Sequence, residues 1–306
     1  MRSSLFLVIC LIVGAAIFAA ALALNNDYYF FAGYVVLQYV VLATAWNILG
    51  GYCGYVNFGS AAFFALGAYS TVAIHKLYPL PLPLLVVAGG IVSGVVGLGM
   101  GYLTLRLRGA FFAIATLALA VVLQTLIVNW DFVGGSRGAY IVRPEAIAPF
   151  GSYIKYLFLI MMLLAIGAIV VARLIERSRL GYGFATIRDD ELAAESSGVP
   201  LRLKLIATGL SGGFMGMVGA PLPYYVTYLD PASAFSLSYA VNTIAMPLIG
   251  GTSSWLGPIL GAILLGTLQQ VATVTISSAW SLLIVGVMLV IFVVAAPKGI
   301  IGWFWK

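Results

Sequence analysis

The chain has 306 residues, of which 63% are apolar and only 8% carry a charge. Soluble domains carry a charge on roughly 25% of their residues, so the composition excludes that class and predicts an all-α polytopic membrane protein. The net charge of +6 does not indicate nucleic acid, because no basic cluster stands apart from the apolar segments. The two cysteines lack CxxC spacing, which argues against a metal site or a disulfide framework.

Apolar runs of bilayer length predict about ten transmembrane helices, within a range of eight to ten, in a single transmembrane domain over 1–306. The first run is longer than a signal-peptide core and many runs follow it, so we expect a retained helix. The run 236–250 is short and is expected to be tilted, broken or re-entrant. The runs are 5–24, 31–50, 56–75, 84–104, 109–129, 155–172, 205–227, 236–250, 257–276 and 280–296.

One long polar segment, 176–204, interrupts this apolar chain and carries ten of its twenty-four charged residues. Within it, Asp189 to Pro200 predicts a short helix. Asp189 or Asp190 can cap the N-terminus, Gly198 can take a left-handed conformation after the last turn, and Pro200 prevents continuation. A well-capped helix in water, on a protein that is otherwise in lipid, is expected to contact a partner.

The distribution of lysine and arginine predicts the orientation of the chain. With ten alternating spans and the 176–204 loop in the cytoplasm, both termini are cytoplasmic and eleven basic residues lie inside against four outside, as the positive-inside rule requires. Trp303 and Trp305 are then expected at the inner interface. The inner residues are Arg2, Arg106, Arg108, Arg173, Arg177, Arg179, Arg188, Arg202, Lys204, Lys298 and Lys306; the outer ones are Lys76, Arg137, Arg143 and Lys155.

The longest outer loop, 130–154, contains Gly-Gly, Arg-Gly and two prolines, which predict an ordered, turn-rich connection. A docking surface for an external partner and a plain connector explain it equally well.

Glycines crowd the fourth and seventh runs. In the seventh run, Gly209/Gly213 and Gly212/Gly216 have small-xxx-small spacing, which predicts a packing role because it lets helices approach closely in lipid. In the seventh run, Gly209-Leu210-Ser211-Gly212 also matches the nucleophile pattern of intramembrane proteases. That chemistry needs a histidine base in a later span, and no histidine follows His75. Helix packing is therefore the better explanation, with a protease kept as a rival.

No charged residue lies between the ends of any predicted span, whereas ion-coupled carriers normally use titratable groups within the membrane. An ion-coupled secondary carrier remains the rival from a different class, with sodium held by backbone oxygens. The chain also lacks GxxxxGK[ST] and HExxH, so we expect no catalytic residue, no metal and no ATP site of its own. An uncharged conduit remains, and its candidate path residues, each equally explained by interhelical hydrogen bonding, are Asn47, Asn57, Gln124 and Asn242.

Several motifs, in order along residues 40–300, carry a resemblance to a known family. They are AWNILGGYCG at 45–54, FGSAAFF at 58–64, LRLRG at 105–109, IRDDELAAE at 187–195 with Gly198, WLGP at 255–258 and PKG at 297–299. With these motifs the chain resembles LivM-type permeases, the membrane subunits of bacterial ABC importers for branched-chain amino acids.

The resemblance implies an ABC-importer permease fold in which the polar segment is the coupling loop that docks on an ATPase. The general pattern of that loop would place glutamate at 192, where this chain has Leu192 preceded by Glu191. This difference concerns individual contacts of the loop with the ATPase and not its coupling role. The residues so assigned to ATPase coupling are Arg188, Asp189, Asp190, Glu191, Ala193, Ala194 and Gly198.

The resemblance also implies the partners and the location. These are two ABC ATPase subunits that bind ATP and Mg²⁺, a second homologous permease, and a periplasmic or lipid-anchored solute-binding protein. The chain itself would bind no cofactor and no nucleic acid, and would lie in the lipid bilayer of the bacterial inner membrane. The expected solute is a branched-chain amino acid, with a urea or short-amide permease as the alternative within the class.

Overall fold

The computed structural model describes residues 3–24, 26–104, 106–142, 151–275, 278–296 and 299–304. In chain order, the helices are α1 Ser3–Ala23, α2 Asp27–Asn47, α3 Ser60–Leu77, α4 Leu82–Leu103, α5 Gly109–Val128, α6 Tyr153–Glu176, α7 Arg179–Asp189, α8 Glu191–Ser196, α9 Leu203–Gly219, α10 Leu222–Val226, α11 Pro231–Ala234, α12 Leu237–Gly250, α13 Leu256–Thr275, α14 Ser278–Ala295 and α15 Ile301–Phe304. Two short strands, β1 Ala139–Tyr140 and β2 Tyr228–Leu229, pair antiparallel.

Helices occupy all ten predicted runs, so the all-α polytopic architecture is confirmed. Among the described residues, eight helical segments are long and apolar enough to cross a membrane. The other two runs hold α14 and α3, whose last turn contains the polar pair His75 and Lys76. Outward-facing side chains are apolar on these helices, including Ile91 and Val95 of α4, as expected for lipid contact.

The eighth run, whose short length predicts a tilted, broken or re-entrant span, is occupied by one helix, and the break in the helical segment lies just before it. Within it, α12 has only 14 residues and contains Pro247. The short helix α11 precedes it, and the two together give a 20-residue segment from Pro231 to Gly250. The second run is also interrupted, because α2 passes at Ile48 into a π-helical turn that ends at Tyr52.

Helices α4 and α9 cross in close backbone contact through their glycines, which confirms the predicted packing role. A Cβ added at Gly213 would lie 3.5 Å from the Gly90 carbonyl and 3.8 Å from the Gly94 Cα. Without side chains between them, the backbones approach as small-residue interfaces in lipid do. Ser211 of the protease-like pattern is fully buried on the same helix.

Contacts among the described loop residues include two separate groups. On one side, the Lys76 ammonium donates to the Phe132 carbonyl (2.9 Å) and β1 pairs with β2. In the other group, Glu176 accepts hydrogen bonds from the Tyr52 hydroxyl and the Trp255 backbone N–H, and Lys204 donates to the Thr104 carbonyl. This grouping is the one that ten alternating spans predict, and it brings all candidate coupling residues to a single face.

Some predictions fall outside the described residues. They concern Arg2, Arg143, Lys298, Trp305, Lys306 and the part of the outer loop at 143–150, while the placement of the Trp303 side chain is likewise not described. The described part of that loop forms two short 3₁₀ turns and β1, so it is turn-rich as predicted. Its role as a docking surface or a connector stays a prediction.

Candidate functional site

The polar segment contains two helices that meet at Asp190. The Asp190 backbone is extended (φ −158°, ψ 114°), and its carboxylate accepts hydrogen bonds from the N–H groups of Leu192 (2.9 Å) and Ala193 (3.1 Å). Asp190 is therefore the N-cap of α8, one of the two predicted positions. The single helix predicted from Asp189 onward needs correction, since Asp189 is the last residue of α7.

The C-terminus of α8 ends as predicted at Gly198, which has φ +81°. The Gly198 N–H donates to the Glu195 carbonyl (3.1 Å), and the Val199 N–H donates to the Ala194 carbonyl (2.9 Å). These two bonds form a Schellman motif, which satisfies carbonyls that the last helical turn leaves free. Both ends of this six-residue helix are thus closed by local hydrogen bonds.

Two arginines attach this helix pair to the membrane helices. Arg108, at the start of α5, forms an ion pair with Glu191 (Nε to Oε2, 2.7 Å), and the Glu191 side chain is only 9% exposed. Arg188 at the end of α7 donates from Nη1 to the Gly51 carbonyl in the π-helical turn (3.3 Å) and from Nε to Asp189 (3.2 Å). The helix pair is therefore held against both the α4–α5 loop and the broken end of α2.

A buried lysine lies under α8. The Lys204 ammonium donates to the carbonyls of Thr104 (3.0 Å) and Leu107 (2.8 Å) and lies 3.8 Å from the centroid of the Tyr55 ring. A buried charge requires such acceptors and the face of an aromatic ring. Burial, and then the neighbouring Glu191, raise the pKa of the Tyr55 phenol above its usual value, so that the phenol stays protonated.

The prediction that charged residues lie outside the spans needs correction at Lys204. The seventh span was predicted to begin at 205, whereas α9 begins at Leu203 and Lys204 is fully buried in its first turn. Arg173 is similarly buried near the inner end of α6, with its guanidinium 3.7 Å from the centroid of the Phe6 ring. Both charges lie at the ends of helices, so the middle of the described spans remains uncharged.

Replacing Lys204 by methionine is expected to lower the thermal unfolding midpoint of the purified protein. The substitution keeps the length of the side chain but leaves the carbonyls of Thr104 and Leu107 without this donor, and a buried unsatisfied group costs about 1–3 kcal/mol. Arg202→Met, at an exposed position two residues earlier, is the control and should leave the midpoint unchanged. Equal midpoints for the two variants would contradict the proposed role of Lys204.

The side of the helix pair that faces water is partly apolar. Tyr182 is 69% exposed and Leu192 is 61% exposed, and Ala193 lies on the same open side of α8. Ala194, in contrast, is fully buried beneath the helix. Large apolar side chains on a water-facing surface are typical of protein interfaces.

The four candidate path residues do not come together in one site. The Asn242 amide donates to the Tyr39 hydroxyl (3.1 Å), and the Gln269 amide donates to the Asn242 carbonyl oxygen (3.0 Å). This network joins α2, α12 and α13, so hydrogen bonding between helices accounts for Asn242. Gln124 is half-buried on α5, a helix that is largely exposed.

Asn47 is the last residue of α2, and Asn57 lies in the non-helical segment before α3. The Trp46 indole donates to the Asn57 carbonyl (2.9 Å), the Gly59 N–H donates to the Asn57 side chain (2.8 Å), and the Phe58 N–H donates to the Thr116 hydroxyl (3.0 Å). Thr116 is two turns inside α5, so this irregular backbone reaches the depth of that helix, and these three hydrogen bonds satisfy part of its polar groups. Asn47 and Asn57 are themselves almost fully buried.

Comparison with known proteins decides the family. Residues 28–293 match the family described as "Branched-chain amino acid transport system / permease component". The chain belongs to this family. It is therefore a permease component of a transport system, and it contains the multi-pass helical domain of that family.

Curated relatives cover most of the chain. It is 27% identical to the high-affinity branched-chain amino acid transport system permease protein LivM of Salmonella typhimurium and to that of Escherichia coli, over 87% of this chain and 68% of each relative. It is 24% identical to the probable branched-chain amino acid transport permease protein LivH of Methanocaldococcus jannaschii, over 82% of this chain and 84% of that protein. No solved structure matches the chain.

Proposed function

We propose that this permease moves branched-chain amino acids inward across the bacterial inner membrane as one of two permease subunits of an ATP-driven importer. The 176–204 segment and both ends of the chain would lie on the cytoplasmic side. The excess of lysine and arginine on this side supports that orientation. The names of the relatives support the substrate class.

The observation that carries the proposal is the helix pair α7–α8. It is capped at Asp190 and Gly198, held by Arg108 and Arg188, and exposes apolar side chains to water. A rigid, anchored projection of this kind can receive a force from a docked protein and pass it to the spans. We therefore assign Asp189, Asp190, Glu191 and their neighbours to ATPase coupling. Ala193 would contact the ATPase, and the buried Ala194 would pack α8 against the rest of the permease.

The remaining subunits would supply what this chain lacks. Two ATPase subunits would bind ATP and Mg²⁺, a second homologous permease would complete the path, and a periplasmic or lipid-anchored binding protein would deliver the solute. Closure of the ATPase dimer would move the helix pair and switch the path from one side of the membrane to the other. The uncharged middle of the spans suits a zwitterion that is carried without a coupling ion.

The test is transport by the complete complex in liposomes. We expect uptake of labelled leucine that requires ATP, the ATPase subunits and the binding protein, and that persists when the proton gradient is collapsed. Uptake without an ATPase, or uptake lost with the proton gradient while ATP is constant, would instead establish a secondary carrier. ATP-driven uptake of urea with no uptake of leucine would establish an amide permease.

A further inference from the structure

A cavity of about 650 Å³ opens on the cytoplasmic face beside the coupling helices. It lies where the ends of α2, α6, α7 and α12 meet α15. Its lining includes Glu176 and Arg188, the apolar side chains of Leu248 and Ile301, and backbone of the π-helical turn at Gly51. The volume falls within the roughly 300–1,000 Å³ of small-molecule sites.

The two charged groups of this cavity are fixed separately around the same turn of α2. Glu176 accepts hydrogen bonds at Oε2 from the Tyr52 hydroxyl (3.2 Å) and from the backbone N–H of Trp255 (2.7 Å). Arg188 donates to the Gly51 carbonyl (3.3 Å). Both side chains are thus oriented by protein contacts before any ligand arrives.

Neither charge neutralises the other. Within the described residues, the ion pairs are Arg108–Glu191 and Arg188–Asp189, so Glu176 has no basic partner there. A carboxylate can accept about four hydrogen bonds and a guanidinium can donate five, so both groups keep capacity for a ligand. The cavity therefore presents an arginine that is paired through Nε with Asp189 and a carboxylate without a basic partner among the described residues, and these two groups form no ion pair with each other.

The charged and apolar side chains that line the cavity indicate a class of ligand. A simple anion would be repelled by Glu176, and a simple cation would be repelled by Arg188. A zwitterionic α-amino acid satisfies both, since its carboxylate can pair with Arg188 and its ammonium group with Glu176. Leu248 is 40% exposed although it is a leucine at the end of a span, and it provides an apolar surface for the side chain of the ligand.

We propose that this cavity is a binding site for a zwitterionic amino acid with an apolar side chain, at the cytoplasmic mouth of the permease. The carboxylate binds Arg188, the ammonium group binds Glu176 and the side chain contacts Leu248. The identification of the ligand as transported product, and of the face as cytoplasmic, rests on the proposed function. The match between the charges of the cavity and those of a zwitterion is independent of the proposed function.

Binding to the purified complex, without nucleotide or binding protein, tests the site. Calorimetry reports binding of three probes: L-leucine, leucinamide, which lacks the carboxylate, and N-acetyl-leucine, which lacks the ammonium group. We expect leucine to bind at least tenfold more tightly than either analogue. Equal binding of the three probes, or no binding of leucine, would overturn the proposal without any variant.

Two substitutions test which side chain binds the ammonium group of the ligand and which binds its carboxylate. Glu176→Gln is expected to abolish the preference for leucine over N-acetyl-leucine, and Arg188→Gln the preference for leucine over leucinamide. A merely structural role would weaken all three probes alike, and that result would overturn the assignment. Glu195→Gln and Arg179→Gln, exposed positions that do not line the cavity, are the matched controls and should keep the wild-type profile.

The transport assay separates this site from the proposed function. Leucine binding with the expected selectivity, together with a failure of ATP-driven uptake, would uphold the site and refute the importer. ATP-driven leucine uptake without binding at this cavity would refute the site alone.

Discussion

Gly198→Pro is expected to reduce leucine uptake at least tenfold while the complex still assembles in the membrane. Gly198 has φ +81°, whereas proline is restricted to φ near −65°. Proline also lacks the N–H that donates to the Glu195 carbonyl. The substitution therefore opens the end of α8, at a cost on the order of 3 kcal/mol, and frees the helix from the position in which it would meet the ATPase.

The control for this experiment uses the same position. Asparagine tolerates the left-handed conformation and keeps the N–H, so Gly198→Asn should retain most of the transport. Uptake per ATP hydrolysed, measured in liposomes, distinguishes uncoupling from loss of ATPase activity. Normal uptake by Gly198→Pro would refute the assignment of α8 to coupling.

The membrane helices and the caps of α8 could be predicted from the sequence because their causes are local. An apolar run of about 20 residues has few alternatives to a transmembrane helix. The caps at Asp190 and Gly198 depend on one side chain or one backbone conformation within a few residues. For the same reason the length of the eighth run indicated an irregular span, without distinguishing a tilted, a broken and a re-entrant one.

What could not be predicted depends on contacts between distant parts of the chain. Lys204 belongs to the polar segment in sequence, but the carbonyls that bury it lie at Thr104 and Leu107. The partner of Glu191 is Arg108, and nothing near Glu191 in the sequence indicates it. The sequence also offered no means of separating Asn242, which bonds across helices, from Asn47 at the end of α2 and Asn57 in the segment before α3.

The close crossing of three helices predicts a large loss of stability on substitution of Gly67. This glycine of α3 lies against the backbone of Gly216 on α9, and a Cβ added at Gly67 would overlap the Gly216 carbonyl. The Gly216 backbone in turn faces Ser93 and Gly89 of α4, so α9 has no free side toward which to move. Gly67→Ala must therefore separate α3 from α9, and such overpacking costs about 1–3 kcal/mol or more.

Gly99→Ala is the matched control, because it makes the same chemical change in a neighbouring helix where an added Cβ meets nothing within 4 Å. Alanine favours the helix over glycine by roughly 0.5–1 kcal/mol, so Gly99→Ala should be neutral or slightly stabilising. We expect thermal unfolding in detergent to show a lowered midpoint for Gly67→Ala alone. If both variants unfold at the wild-type temperature, the helices do not approach as closely as described, since one methyl group cannot be accommodated at the Gly216 carbonyl without moving a backbone.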